Sequence, residues 1–226
     1  MWIKCGLKLY FRAFPENGTV FAYYAHYLQK VNDMKYRFSF TAVGLSPVAM
    51  QEVAALYREC GSGEATYARI VKENTLKCRT VSALRRIASE LVLRLEELAP
   101  EELARFVENR LNERNVFAWL AACRAYDLVG DFAVEALHEA YVTGQKTYTT
   151  SDYEKFVNGK LPLHPELDEL SDQTYAKVRQ IVFKMMREAG FLDQKGNIVP
   201  LVMEAELMNF IPERDLAFFP MYIGGR

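Results

Sequence analysis

The chain has no Cys-x-x-Cys pair, and its four cysteines, Cys5, Cys60, Cys78 and Cys123, stand far apart. Its three histidines, His26, His138 and His164, have no ligand spacing to a cysteine or carboxylate motif. These two absences argue against the common zinc frameworks. A chain of 226 residues buries a core without staples, so the expectation is reduced, cytosolic thiols rather than disulfides. Long apolar runs are also missing. The longest near the N-terminus, Val20 to Leu28, is too short for a bilayer and is interrupted by His26. The basic start, apolar stretch and small-residue cleavage site of a signal peptide do not occur in order. A soluble protein without membrane contact is expected.

Catalytic constellations are absent as well. Gly61-Ser62-Gly63 lacks the preceding strand and the Lys-Ser/Thr pair of a phosphate-binding loop. There is no nucleophile elbow and no HExxH. Acid pairs such as Glu96-Glu97, Glu101-Glu102 and Asp168-Glu169 read as solvated helix faces or partners of a helix dipole. No catalytic residue, metal or cofactor is expected, which leaves a protein that binds rather than reacts.

What the chain does have is a polarised charge distribution. Residues 1–95 carry 14 Lys/Arg against 7 Asp/Glu, whereas residues 96–172 carry 7 against 16, and the whole chain nets −1. A basic face is therefore available despite a neutral total. The competing explanation is that the basic and acidic stretches pair with one another inside the fold.

The pattern predicts helices. Residues 1–33 are aromatic-rich and irregular, and regular periodicity begins near Lys35. Met34 is the start this favours. The alternative is a two-stranded appendage turning at Pro15-Glu16-Asn17-Gly18. Ser46-Pro47 reads as a cap and first helical position of a helix to about Cys60, with Val48, Val53, Leu56 and Tyr57 on one face. A second helix covers about Glu64 to Asn74. Thr80 caps a third that runs to about Leu98 with a stripe of Leu84, Ala88, Leu91, Leu95 and Leu98. Pro100 opens a fourth, and residues 113–127 form an apolar helix around Phe117, Trp119, Leu120 and Cys123. Asp131 and Ser151 read as caps of the next two. Residues 162–165, between two prolines, read as a hinge or linker. Ser171 caps a long helix to Ala189. Beyond it, Phe191-Leu192 and Ile198-Val199 flank a turn and suggest a β-hairpin. A short helix over 204–210 and a docked apolar tail, Phe218 to Tyr222, complete the reading. The organisation expected is an extension or appendage over 1–33, a helical domain over 34–145, and a second over 146–226.

Two basic faces fit nucleic acid. The segment 64–94 carries Arg69, Lys72, Lys77, Arg79, Arg85, Arg86 and Arg94 against Glu64, Glu73 and Glu90. Arg79, Ser82, Arg86 and Ser89 share the side opposite the leucine stripe, with the guanidinium and short polar groups that phosphates and base edges require. Helix, turn, helix is also the order of a helix-turn-helix motif. The segment 171–201 carries Gln173, Lys177, Gln180, Lys184 and Arg187 opposite a buried stripe of Tyr175, Val178, Val182, Met185 and Ala189. Lys195 lies at the tip of the expected hairpin, as in a winged helix. Solvated polar faces are the competing explanation for both. The candidate nucleic-acid contacts are thus Lys72, Lys77, Arg79, Ser82, Arg85, Arg86, Lys177, Lys184, Arg187 and Lys195.

Several stretches taken together resemble a known family. They are Tyr36-Arg37-Phe38-Ser39-Phe40-Thr41, Glu73-Asn74-Thr75-Leu76, Arg79-Thr80, Ser82, Arg85-Arg86-Ile87, Arg94-Leu95, Cys123-Arg124-Ala125-Tyr126, Gly130-Asp131-Phe132, Leu170-Ser171-Asp172-Gln173-Thr174 and the run Lys184 to Gly190. In this order they resemble BrxA, a small component of BREX bacteriophage-exclusion systems. Residues before Met34 fall outside the resemblance. It implies a mainly α multi-helix bundle, likened to the RNA-binding antitermination factor NusB, that works beside a methyltransferase and other BREX components. It also implies binding of double-stranded DNA rather than catalysis. A protein-interaction scaffold and an RNA-binding protein are the alternatives.

Overall fold

Helix boundaries follow the chain's glycines, prolines and small polar residues. The computed structural model describes residues 35–108 and 113–221, so residues 1–33 and both readings of them lie outside the described residues. A short 3-10 turn, Ser39–Ala42, precedes α1 (Pro47–Cys60), which ends at Gly61 in the left-handed region. Ser62 caps α2 (Gly63–Glu73) by accepting the Ala65 N–H, and Thr80 caps α3 (Val81–Glu96) by accepting that of Ala83. Next come α4 (Pro100–Val107), α5 (Arg114–Ala125) and α6 (Asp127–Phe132). Then α6 passes through a π-helical segment, Ala133–His138, into α7 (Glu139–Val142). After α8 (Thr150–Lys160) and a 3-10 turn at Pro165–Leu167, α9 (Asp172–Ala189) runs from its Ser171 cap to Gly190. The short α10 (Ala205–Phe210) and a 3-10 segment, Glu213–Phe218, close the described chain.

The core forms around α5. Every residue from Val116 to Cys123 is buried, because α5 is surrounded by α1, α3, α4, α6, α9 and the C-terminal 3-10 segment. The stripe of α3 faces this centre: Leu84, Ala88, Leu91, Leu95 and Leu98 are all buried, each leucine contributing roughly 1.5–3 kcal/mol of transfer free energy. The α9 stripe does the same through Val178, Val182, Met185 and Ala189, with Tyr175 half-buried. The C-terminal tail docks through Phe218, Phe219 and Met221. There the Trp119 indole N–H donates to the Phe218 carbonyl at 2.8 Å, and its ring meets Phe191 edge-on at 5.3 Å.

Several local expectations change. Ser46 does not cap α1. Its backbone is left-handed (φ 47°) and its hydroxyl turns back to the Val43 carbonyl. The Leu45 N–H is met instead by the Glu188 carboxylate of α9 at 2.9 Å. Val48 is exposed, and α1 buries Met50, Val53 and Ala54. Asp131 is no cap either, since the helix starts at Asp127 and Asp131 lies inside it, fully buried. Thr149 rather than Ser151 caps α8, in a reciprocal box with Asp152. Within residues 162–165, expected as a hinge or linker, Pro162, Leu163 and Pro165 are exposed, but His164 is buried and stacks on Tyr36 with ring centroids 3.6 Å apart, which anchors the segment.

The hairpin after α9 is reduced to one antiparallel bridge, Leu192 to Ile198, and no strand forms among the described residues. The Asp193 carboxylate gathers the Lys195 and Asn197 N–H groups into a tight turn. Backbone bonds from Tyr148 to Gly196 and from Ile198 to Lys146 pin that turn to the body. A projecting wing is not what the chain builds here. No helix among the described residues is long and apolar enough to cross a membrane.

Candidate nucleic-acid interface

The α2–α3 end concentrates unneutralised positive charge. Lys72, Lys77, Arg79, Ser82, Arg85 and Arg86 are all exposed. Among the described residues, none of the five cations in that set has an ion-pair partner within 4 Å. Of the acids of the same stretch, Glu64 lies exposed in the first turn of α2, away from its basic end, and the other two are occupied elsewhere. Glu73 pairs with Arg69, and buried Glu90 accepts from Tyr126 and Ser39. Two expected members leave the basic set. Arg69 is held by Glu59 at 2.6 Å and by Glu73. Arg94 is fully buried, donating to the Leu45 carbonyl at 3.0 Å and the Tyr126 hydroxyl at 3.1 Å.

Pairing between the basic and acidic stretches does not explain this cluster. Among the described residues, no Lys or Arg of 35–95 forms an ion pair with an acid of 96–172. Among the described residues, the ion pairs that acids of the middle stretch do form lie within it or with the C-terminal third.

The connection between α2 and α3 runs from Asn74 to Thr80, seven residues. That is longer than the three- or four-residue turn of a helix-turn-helix, so the exposed half of α3 is presented differently. Asn74 ends α2 in the left-handed region (φ 49°), and Lys77 is also left-handed (φ 51°). The Asn74 side chain accepts the Cys78 N–H at 3.0 Å and donates to the Cys78 carbonyl at 3.1 Å, while its own carbonyl accepts the Lys77 N–H at 2.8 Å.

The second face is exposed but largely engaged. Lys177 donates to Gln180 at 3.4 Å, Lys184 lies 3.5 Å from Glu188, and Arg187 sits 5.9 Å over the Phe183 ring. Lys195 is exposed at the pinned turn. Asparagine and backbone donors hold the Asp193 carboxyl in that turn below its usual range, the Asn197 side chain first.

A family model described as BrxA matches residues 34–215. The chain belongs to the BrxA family. The BREX protein BrxA of Escherichia coli O9:H4 (strain HS) is 27% identical over 125 residues, 55% of this chain and 59% of that protein. The BREX protein BrxA of Bacillus cereus (strain H3081.97) is 23% identical over 168 residues, 74% of this chain and 84% of that one. The match to the Escherichia coli relative thus spans less than two thirds of its length. A crystal structure of an uncharacterized protein from Magnetospirillum magneticum has the same fold, with a TM-score of 0.70 over 82% of this chain and 96% of that one at 19% identity.

Many of the residues that carry the BrxA resemblance are absorbed by buried polar clusters, which sequence reasoning missed. Arg94, Tyr126, Glu90 and Ser39 form one. Arg124, Glu102 and Asp215 form a second. In the third, Asp131 accepts from the Tyr36 hydroxyl and pairs with Lys160 at 2.7 Å, Lys160 also meets Glu135, and Glu166 accepts the Tyr36 N–H at 2.7 Å. The available signal was the concentration of Tyr, Arg and Asp inside otherwise apolar runs.

Burial pushes the Asp131 carboxyl up to about 7, with Lys160 pulling the other way. Protonated Asp131 therefore confers stability that is complete below about pH 4 and is lost as the pH rises through about 7. Asp131→Asn stays neutral throughout, so its urea midpoint should vary less than that of wild type between about pH 5 and about pH 8. Parallel curves would remove Asp131 as the cause.

Proposed function

We propose that this BrxA-family chain is a non-enzymatic accessory protein of a BREX defence system and binds double-stranded DNA through its α2–α3 end. The observation that carries the reading is the set of five exposed cations between residues 72 and 86, close together along α2, the turn and α3, with no ion-pair partner among the described residues. Unpaired cations keep their full Coulombic attraction for phosphate, and their counterpart on DNA is a dense row of anions whose released counterions drive binding. Ser82 and Ser89 of α3, also exposed, supply short hydroxyl donors on the same side. The α9 face, with Lys177, Lys184 and Arg187 engaged by neighbours, is secondary in this reading.

Equilibrium binding to a duplex, a single strand and a structured RNA, at about 50 mM and about 200 mM salt, tests it. The duplex should bind best and lose affinity at the higher salt. Tighter binding to the RNA would favour the RNA-binding alternative. No binding to any probe at low salt would favour a scaffold whose basic end docks another BREX component, such as the methyltransferase.

A further inference from the structure

Lysine is a costly residue to hold in the left-handed region, because its Cβ crowds the following carbonyl; glycine adopts the same backbone freely. Lys77 is nevertheless held there, at φ 51°, in an exposed turn with no packing constraint that requires a long side chain. The turn is locked from the other end. The Asn74 amide spans both backbone groups of Cys78, and the Asn74 carbonyl takes the Lys77 N–H. This lock lies between Lys72 at the end of α2 and Arg79 before the Thr80 cap, so it sets where Lys77 and Arg79 stand relative to Lys72.

We infer that Asn74 is a positioning residue and Lys77 a strained contact residue, together forming a preorganised phosphate-binding turn between α2 and α3. The inference rests on the DNA-binding reading above. Preorganisation raises affinity by removing the ordering cost that a floppy, equally charged loop would incur on binding. Strain kept at a contact residue should then give stability and binding opposite signs on substitution.

Lys77→Gly and Asn74→Gly test this, with Arg79→Ala/Arg86→Ala as the reference variant, all titrated against the same DNA duplex over a salt series. Lys77→Gly relieves the backbone and removes one charge. It should melt at or above the wild-type temperature, bind duplex several-fold more weakly, and show a log–log salt slope shallower by about 0.9. Asn74→Gly keeps the left-handed helix end and every charge but loses the amide bridge. Its melting temperature should stay near wild type and its affinity should fall threefold or more, with an unchanged slope. A role in folding alone would move melting temperature and leave binding intact. Wild-type affinity in both glycine variants, with weakened binding in the arginine pair, overturns the turn's role and leaves the DNA reading standing. Wild-type affinity in all three overturns both.

Discussion

Arg79→Ala/Arg86→Ala is expected to weaken duplex binding by about 10- to 100-fold at roughly 0.1 M salt. Each neutralised phosphate contributes about 0.9 to the log–log salt slope, so losing two contacts flattens it by about 1.8, which at that salt is nearly two decades in affinity. The effect should appear in binding and not in folding. Both side chains are exposed and unpaired, flanking and within the first half of α3, while the buried stripe lies on its other side. Surface substitutions of this kind usually change stability by no more than about 0.5 kcal/mol. An unchanged slope would mean that neither guanidinium meets a phosphate.

Arg124→Met is expected to produce the largest loss of stability, about 3–5 kcal/mol. Arg124 is clamped by both oxygens of Glu102 at 2.6 and 2.8 Å, by Asp215 at 2.7 Å and by the Glu97 carbonyl at 2.9 Å. It ties α5 to the start of α4 and to the C-terminal 3-10 segment. Methionine keeps the apolar stem but leaves two carboxylates, each with a side chain only 4% exposed, with the Ala99 N–H on Glu102 and a 3.7 Å approach of Arg214 to Asp215 in place of the guanidinium clamp. Stranded buried charge is what makes breaking such a group costlier than replacing it whole. At about 2–4 °C per kcal/mol for a chain of this size, melting should fall by roughly 6–20 °C. Neutralising the acids too, as Arg124→Met/Glu102→Gln/Asp215→Asn, should recover a substantial part. A triple variant no better than Arg124→Met would point to lost hydrogen bonding rather than stranded charge.

What sequence made legible was whatever depends on neighbours along the chain. The stripes of α3 and α9, the Thr80 and Ser171 caps and the Gly190 stop are set by spacing of three and four residues and by local backbone chemistry, and the structure has them where expected. Ser46 failed as a cap because its backbone is left-handed and its hydroxyl turns back to the Val43 carbonyl, in a loop whose N–H groups reach Glu188, 142 residues away. Asp131 failed because a helix beginning four residues earlier carries it into the core beside Lys160, where it does another job. Arg94 illustrates the same limit at the candidate site. It lies on the same helix as Arg85 and Arg86 and has the same side chain, yet only the packing of the 45–46 loop and Tyr126 shows that it is interior. The sign of a segment's charge can be read from sequence, whereas its pairing cannot. Which cations remain free is a tertiary fact, and it is the fact on which the functional reading rests.

The most direct measurement is the salt dependence of duplex binding by the wild-type protein. If all five unpaired cations of the α2–α3 end meet phosphates, the log–log slope approaches about −4.5; the account predicts a slope between about −2 and about −4.5, lost stepwise as those cations are removed. A slope near zero, or one unaltered when all five are neutralised, would contradict it.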